Sequence, residues 1–339
     1  MTGSLGRQWS PFLHRRGLDT ANWRARRLPG VTNETWLLTR ADGSRPDERY
    51  VLRHYVRTSA DAEIIFELAA LRYLAANAFP FAGVVDPLDG TAGIDQVDGR
   101  PAALFTYVPG IVGESLGDTG AHDLAEGVIA AGLLARMHLV SRHRTFAGSR
   151  VERSDPLTRL TRWMSRYGSD PDFSTVPGGA AFLAELSSLI DELTAALETT
   201  SGLWVGLVHG DVAPNNLVRD PSGDVAALLD FDDCQYSHVL YDLCSILWSW
   251  GRSPDGHVDP RRVRQLVGSY ADVRQLSDDE RQLLPKLFAA YLAADGVDKV
   301  TWWWRGEGRP RPVSESSAAR CFLELIANPG LGGTLSGHG

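Results

Sequence analysis

Lysine is almost missing from this chain of 339 residues. Lys286 and Lys299 are the only lysines among 34 basic residues, and the others are arginine. A phosphate loop of the G-x-x-x-x-G-K-[ST] type therefore has no lysine to build on, and any phosphate-gripping cation in the first 285 residues must be arginine. Cysteine is scarce as well. Cys234, Cys244 and Cys321 form neither a C-x-x-C pair nor an even framework, which excludes a disulfide scaffold or a zinc site and reads as reduced thiols. No apolar run reaches the roughly 18 residues of a membrane span. The longest candidate, 127–140, is cut by Arg136 and His138. Residues 1–16 are polar and lack the apolar stretch of a secretory signal, so a cytoplasmic protein is expected. Positive charge is in deficit too: the net charge of −8 argues against a nucleic-acid partner.

What is present suits a packed protein of one large or two ordinary domains, with 43% hydrophobic and 22% charged residues. Residues 1–108 read as strand-rich. Trp36-Leu37-Leu38-Thr39 and Tyr50-Val51-Leu52 are short β-type runs around the polar turn Ala41–Pro46, which predicts an antiparallel hairpin. Over 59–77 the stripe Ile64, Leu68, Leu71, Leu74 predicts a helix, with Asp61 and Glu63 in its first turn and Pro80 beyond its end. A strand is expected again over 102–107, stopping at Pro109-Gly110. The remainder reads as helical over 123–140, 180–197, 259–270 and 277–292, interrupted by a strand, loop and hairpin over 207–229. Charge is uneven: residues 1–108 hold 13 basic and 12 acidic residues, whereas 109–339 hold 21 and 30. A solvated acidic surface explains this; an acidic face attracting a cation is the sharper alternative.

The chemistry concentrates in Leu207-Val208-His209-Gly210-Asp211, followed by Asn216 five residues after Asp211 and by Asp230-Phe231-Asp232-Asp233 after a short hairpin. An apolar strand delivers Asp211 into a loop. Antiparallel strands would bring Asn216 and Asp230 toward one point near that loop. Phosphoryl transfer needs such a set: a carboxylate to orient and deprotonate the attacking hydroxyl, and an amide oxygen with a second carboxylate to hold Mg2+ against nucleotide phosphates. The Asp-x-x-x-x-Asn spacing equals that of the protein-kinase catalytic loop. Asp211 is thus the expected base, with Asn216 and Asp230 as metal ligands. His209 is expected to hold the loop backbone, His138 to be a packed, hydrogen-bonded histidine, and Asp242 to brace the loop. Asp232 and Asp233 are ambiguous. Of Trp302, Trp303 and Trp304, at most two can be buried on one helix.

These residues resemble the aminoglycoside phosphotransferase family, protein-kinase-like kinases of small molecules, in a layout similar to its homoserine kinases. The resemblance spans about residues 25–305. Gly30–Trp36, with Thr32 and Asn33, is similar to the family's nucleotide loop. Tyr50-Val51-Leu52-Arg53 resembles the strand with the phosphate-binding cation, and 66–74, with Glu67, the helix whose acid pairs with it. The stretch 98–110 is similar to the hinge, where the backbone of Phe105, Thr106, Tyr107 and Val108 would meet the nucleotide base. Leu134–His138 and Leu240-Tyr241-Asp242-Leu243 match further landmarks. Arg53 replaces the usual lysine, keeping charge while changing geometry.

The resemblance implies an α+β, bilobal protein-kinase-like fold. Residues 1–108 would form a nucleotide-binding lobe of antiparallel sheet and one helix, and 109–339 a mainly helical catalytic and acceptor-binding lobe. It implies an enzyme moving the γ-phosphate of ATP or GTP, with Mg2+, to a hydroxyl of a small molecule. An antibiotic is the leading acceptor, in a resistance or self-protection kinase; a homoserine-like or other metabolite is the alternative. Two extra carboxylates after Asp230, together with Arg53, speak against homoserine itself. A nucleotide-binding pseudokinase is a weaker reading, because Asp211, Asn216 and Asp230 are all present. Asp230-x-Asp232 also suits phosphatases of the haloacid dehalogenase type and metal-dependent glycosyltransferases, but those leave Asp211 and Asn216 without a role.

Overall fold

The computed structural model describes all residues except Met1, 30–32, 57–60, 92–93, 115–120, 149–154, 307–308, 329, 331–332, 334 and 336–339. Thr32 therefore lies outside the described residues. The chain forms two compact units. One comprises Met1–Val112, Arg144–Val151 and Leu217–Asp232; the other comprises Gly113–His143, Glu152–Asn216 and Asp233–Gly339.

The first unit is built on an antiparallel sheet of β1 (Thr2–Ser4), β2 (Trp23–Arg27), β3 (Glu34–Arg40), β4 (Arg49–His54), β5 (Asp95–Val97) and β6 (Arg100–Thr106). Their order is β1-β2-β3-β4-β6-β5. The expected hairpin is β3–β4, with Trp36 opposite Leu52 and Thr35 opposite Arg53. Strand alternation then decides which side chains meet. Leu38, Leu52 and Leu104, with Trp36 and Tyr50 beside them, pack against Trp9, Phe12 and Leu13 of α1 (Ser10–His14) and its approach. Arg53 belongs to the opposite face and reaches Glu67 of α2 (Asp61–Ala76), whose Ile64, Leu68, Leu71 and Leu74 are buried. Residues 1–29 show no long periodicity in sequence, so their role as cover for one sheet face was not legible there.

Asp98 and Gly99 form a two-residue hairpin loop between β5 and β6, both with positive φ (51° and 72°). Such loops favour Asp-Gly because both central residues turn left-handed. The 98–110 stretch is therefore a turn, a strand and a short connection rather than one segment. The same unit holds β7 (Ile111–Val112), β9 (Leu217–Arg219) and β10 (Val225–Leu228), in the order β10-β9-β7.

The second unit is mostly helical, with α3 (Leu124–Val140), α4 (Pro156–Tyr167), α5 (Gly179–Thr199), α6 (Leu240–Trp250), α7 (Pro260–Val273), α8 (Asp278–Thr301) and α9 (Ser317–Ala327). Acidic and hydroxyl caps start them: Asp123, Asp155, Asp259 and Ser316 accept a first-turn N–H, and Ser277 with Glu280 forms a capping box on α8. β8 (Val205–Val208) pairs antiparallel with β11 (Gln235–His238). α8 runs on into a π-turn over Trp302–Gly306. Trp303 and Trp304 are buried there, while Trp302 stays 53% exposed, in keeping with the limit of two indoles per face. Among the described residues no helix is long and apolar enough to cross a membrane.

Candidate active site

In the first unit, β4 presents Arg53 to three carboxylates. Its Nη1 lies 3.4 Å from Glu67 Oε1 and its Nη2 3.2 Å from Asp230 Oδ1, and Nη1 also pairs with Asp232. The expected Arg53–Glu67 pair is thus present, and Arg72 pairs with Asp86 instead. Glu67 is fully buried and also accepts the Tyr55 hydroxyl at 3.2 Å. Asn33 Nδ2 donates to the second oxygen of Asp232. Burial alone would lower the Arg53 pKa, but Asp232, Glu67 and Asp230 outweigh it and raise it, so the guanidinium stays charged.

One guanidinium against three carboxylates leaves a local charge of −2, the charge that one divalent cation balances. Asp230 is the carboxylate best placed to offer an oxygen: its side chain is 46% exposed, and its backbone has φ of +64°. A left-handed aspartate is uncommon and costs backbone energy, and such strain collects at functional sites.

Of the four residues expected to meet a nucleotide base, two already spend their amide N–H. Thr106 donates to Gly83 O at 2.8 Å and Tyr107 to Arg49 O at 3.2 Å. Phe105 lies in the ladder opposite Val51. Val108 follows the strand and makes no such bond among the described residues, which leaves its N–H as the available donor.

In the second unit, β8 ends at Val208 and delivers the loop 209–216. Gly210 takes a φ of +88°, and a Cβ there would stand 2.5 Å from the Asp233 carbonyl oxygen, so only glycine fits. His209 is fully buried, and its Nδ1 accepts the Asp211 N–H at 3.2 Å. Asn216, 4% exposed, donates its Nδ2 to the Asp211 carbonyl at 2.8 Å and to Asp211 Oδ2 at 3.0 Å. Its Oδ1 accepts from Asn215 Nδ2 at 3.3 Å. Asp211 Oδ1 is left without a hydrogen-bond partner among the described residues.

Asp242 of α6 supports that loop from behind. Its oxygens accept the His209 N–H at 2.7 Å and the Gly210 N–H at 2.8 Å. They also meet His138 Nε2 at 3.1 Å, and His138 Nδ1 lies 2.6 Å from the Tyr270 hydroxyl. Burial pushes the His138 pKa below its ordinary value, with Asp242 opposing. A neutral ring facing a carboxylate must donate from Nε2, so Nδ1 accepts the Tyr270 O–H.

Sequence reasoning missed a further group. On α8, Tyr291, Asp295 and Asp298 stand at helical spacing. Arg159 of α4 meets Asp298 at 2.5 Å, Asp295 at 3.6 Å and the Ala294 carbonyl at 3.3 Å. Burial raises the Asp295 pKa; Arg159 opposes this, while Asp298 and Asp211 add to it. Burial likewise pushes the Tyr291 hydroxyl up, with Asp295 and Asp211 adding to it, and the nearby Ser245 hydroxyl donates to the Val212 carbonyl at 2.9 Å. The signal was available as carboxylates at i and i+3, Asp295 and Asp298, following the apolar stretch 287–294 that only Tyr291 interrupts.

Among the described residues no group of three His, Cys, Asp or Glu side chains is arranged to hold a metal ion. The candidate donors, an Asp230 carboxylate and an Asn216 amide oxygen, are hard oxygens. Each by itself is of the type that a cation such as Mg2+ takes when it completes its shell with phosphates and water rather than in a protein cage.

The profile of the phosphotransferase enzyme family (APH) matches residues 24–276, and the chain belongs to that family. A homoserine kinase of Methylobacillus glycogenes is 31% identical over 262 residues, 76% of this chain and 72% of that protein. The homoserine kinase of Caulobacter sp. (strain K31) is 28% identical over 261 residues, 76% of this chain and 74% of that one. Among solved structures, a microcompartment-associated aminopropanol kinase superposes with a TM-score of 0.66 at 20% identity, covering 95% of this chain and 98% of that one. Amicoumacin kinase hAmiN, in complex with AMP-PNP, Ca2+ and Ami, gives 0.62 at 18% identity, covering 89% and 88%. The fold is protein-kinase-like, with an N-terminal antiparallel sheet and a mainly helical remainder. The protein is a phosphotransferase that acts on a small-molecule hydroxyl.

Proposed function

We propose that the enzyme moves the γ-phosphate of ATP, with GTP as the alternative donor, onto the hydroxyl of a small amine-bearing alcohol. The observation that carries this reading is the loop over 209–216: Asp211 has one carboxylate oxygen held by Asn216 and the other without a hydrogen-bond partner among the described residues. In this reading Asp211 orients the hydroxyl and takes its proton. Arg53, oriented by Glu67, steadies the nucleotide phosphates, with Thr32 and Asn33 in the loop over them. The backbone of 105–108 meets the base, chiefly through the Val108 N–H. Asn216 and Asp230 hold Mg2+, which when bound draws charge from the phosphate oxygens. Residues 1–108 then serve the nucleotide and 109–339 the acceptor.

Two things favour an amine-bearing acceptor. Asp295 and Asp298 outnumber Arg159 beside the Asp211 loop, so that region attracts an ammonium group. The relatives in sequence are homoserine kinases. An antibiotic acceptor draws support only from solved structures that share the fold at low identity, so we rank it second.

The test is a transfer screen with labelled ATP and GTP over amino alcohols, including homoserine, and aminoglycoside antibiotics, read by phosphorus NMR of the product. A phosphorylated amino alcohol that disappears with Asp211→Ala is the expected result. A phosphorylated antibiotic instead would reverse the ranking of acceptors. Nucleotide binding without turnover on any acceptor would sink the enzymatic reading in favour of a pseudokinase.

A further inference from the structure

We infer that the second unit carries another small-molecule site, apart from the catalytic loop, that takes a small organic carboxylate. A cavity of about 310 Å³ is lined by Arg142, Trp204, Val273, Arg274, Ser277 and Glu280, among others. At roughly 30 Å³ per non-hydrogen atom, the share of a liquid water, that space holds about ten atoms. It lies at the small end of ligand pockets.

The lining selects the ligand. Arg142 and Arg274 each place a guanidinium 4.5 Å from the Trp204 ring centroid. Among the described lining residues one carboxylate, Glu280, faces them, and it is already engaged. Its Oε1 pairs with Arg274 and its Oε2 accepts the Ser277 N–H at 3.0 Å. Arg274 is 3% exposed, and among the described residues its Nε and Nη1 have no partner at hydrogen-bond distance, with the Tyr270 hydroxyl as their polar neighbour. Arg142 is exposed and makes no ion pair among the described residues. The cavity thus holds one positive charge in excess, in a protein whose net charge is −8. Leu139 and Val273, 40% and 43% exposed, add apolar surface. A carboxylate with a short branched apolar body meets both features.

The site is wired to the catalytic loop. Arg142 lies four residues beyond His138, and Arg274 four beyond Tyr270, with Arg274 5.4 Å from the Tyr270 ring. Tyr270, His138 and Asp242 then lead by hydrogen bonds to the backbone of His209 and Gly210. An anion that draws on either arginine therefore acts within one helical turn of the residues bracing Asp211. A ligand shifts such a network only by binding its arrangements unequally. Both arginines also stand at helix C-termini, where a cation offsets the helix dipole. That role alone predicts a stability effect without any ligand response.

Isobutyrate is the probe, titrated into the full chain by calorimetry with and without ADP, with inorganic phosphate and chloride as comparison anions. We expect saturable isobutyrate binding in the millimolar range, unaffected by ADP. Arg142→Gln should weaken it about tenfold or more, a loss of roughly 1.4 kcal/mol, and Val273→Trp should abolish it by filling the cavity. Both variants should keep phosphoryl transfer without isobutyrate within about twofold, while saturating isobutyrate changes the rate of the native enzyme only. Absence of saturable binding, equal binding by both variants, or capture of phosphate in preference to isobutyrate would each overturn the assignment. An unchanged native rate at saturation would overturn the coupling.

Discussion

Asp242 Oδ1 accepts the backbone N–H of Gly210 at 2.8 Å, one residue before Asp211. A carboxylate of α6, 1% exposed, thereby fixes the loop that presents the proposed base. Asp242→Asn keeps the shape but replaces one acceptor oxygen by a donor that confronts an N–H. The expected cost is about 1.5–3 kcal/mol of stability, the worth of a hydrogen bond to a charged group. Turnover should fall about a hundredfold, as small misplacements of catalytic groups do. Chemical denaturation and steady-state kinetics check both; a full loss of rate without loss of stability would argue for direct chemistry by Asp242.

Gly210 and Gly223 offer a matched pair. Both have positive φ, but a Cβ at 210 meets the Asp233 carbonyl oxygen at 2.5 Å, whereas one at 223 meets nothing within 4 Å. Gly223→Ala should cost only left-handed strain, about 1 kcal/mol, with turnover intact. Gly210→Ala adds a backbone clash and should cost several times more, with turnover lost even in the folded fraction. Equal costs at the two sites would show that the 210–233 contact yields easily.

Much of this was legible in sequence for a physical reason. Asp211 and Asn216, with Asp230 after one hairpin, lie within twenty residues, so local spacing alone expresses their chemistry. The hairpin carrying Arg53 and the stripe of α2 follow from periods of 2 and 3.6. The braces are different. His138 meets Tyr270 across 132 positions and Asp242 across 104, and Arg159 meets Asp298 across 139. No local pattern encodes such pairings. Asp232 was ambiguous because only the fold brings it to Arg53 and Asn33. Residues 1–29 cover the sheet through isolated aromatics such as Trp9 and Phe12, which have no period to read.

Arg53 is surrounded, so substitutions there separate charge from geometry. Arg53→Met leaves Glu67, whose side chain is 1% exposed, as a buried charge without its cation. Breaking a buried pair from one side costs about 3–5 kcal/mol. Adding Glu67→Gln should restore much of that stability yet leave ATP binding weak. Arg53→Lys keeps the charge but cannot face Glu67, Asp230 and Asp232 together, so its ATP affinity should lie between native and Arg53→Met. Thermal unfolding with nucleotide titration checks the series; ATP affinity recovered by Arg53→Met/Glu67→Gln would remove Arg53 from phosphate binding.

Asp295 tests the acceptor side. If it receives an ammonium, Asp295→Asn should raise the KM for an amino alcohol about tenfold while leaving kcat and the KM for ATP near native values, the signature of lost uniform binding. The stem of Arg159 and its bond to Asp298 remain, so the fold should hold. A drop in kcat at unchanged KM would place Asp295 in the chemistry instead.

His138 predicts a pH dependence of stability. Burial holds its folded pKa below the ordinary 6.5, and the groups facing it are Asp242, Tyr270, Arg274 and Glu280. As pH falls through about 6.5, the unfolded chain gains a proton that the folded chain refuses, so unfolding takes up protons and stability drops. The loss is at most about 1.4 kcal/mol per pH unit and ends below the folded pKa. Above about pH 7.5 the ring is neutral in both states and this dependence vanishes. His122, also held low by burial, adds to the native curve, so the informative quantity is a difference. His138→Gln should be less stable than native at pH 8, and the gap should narrow steadily toward pH 5. Unfolding free energies measured across that range decide it: a constant gap would mean that His138 keeps an ordinary pKa, and a widening gap would mean that it is charged in the folded protein.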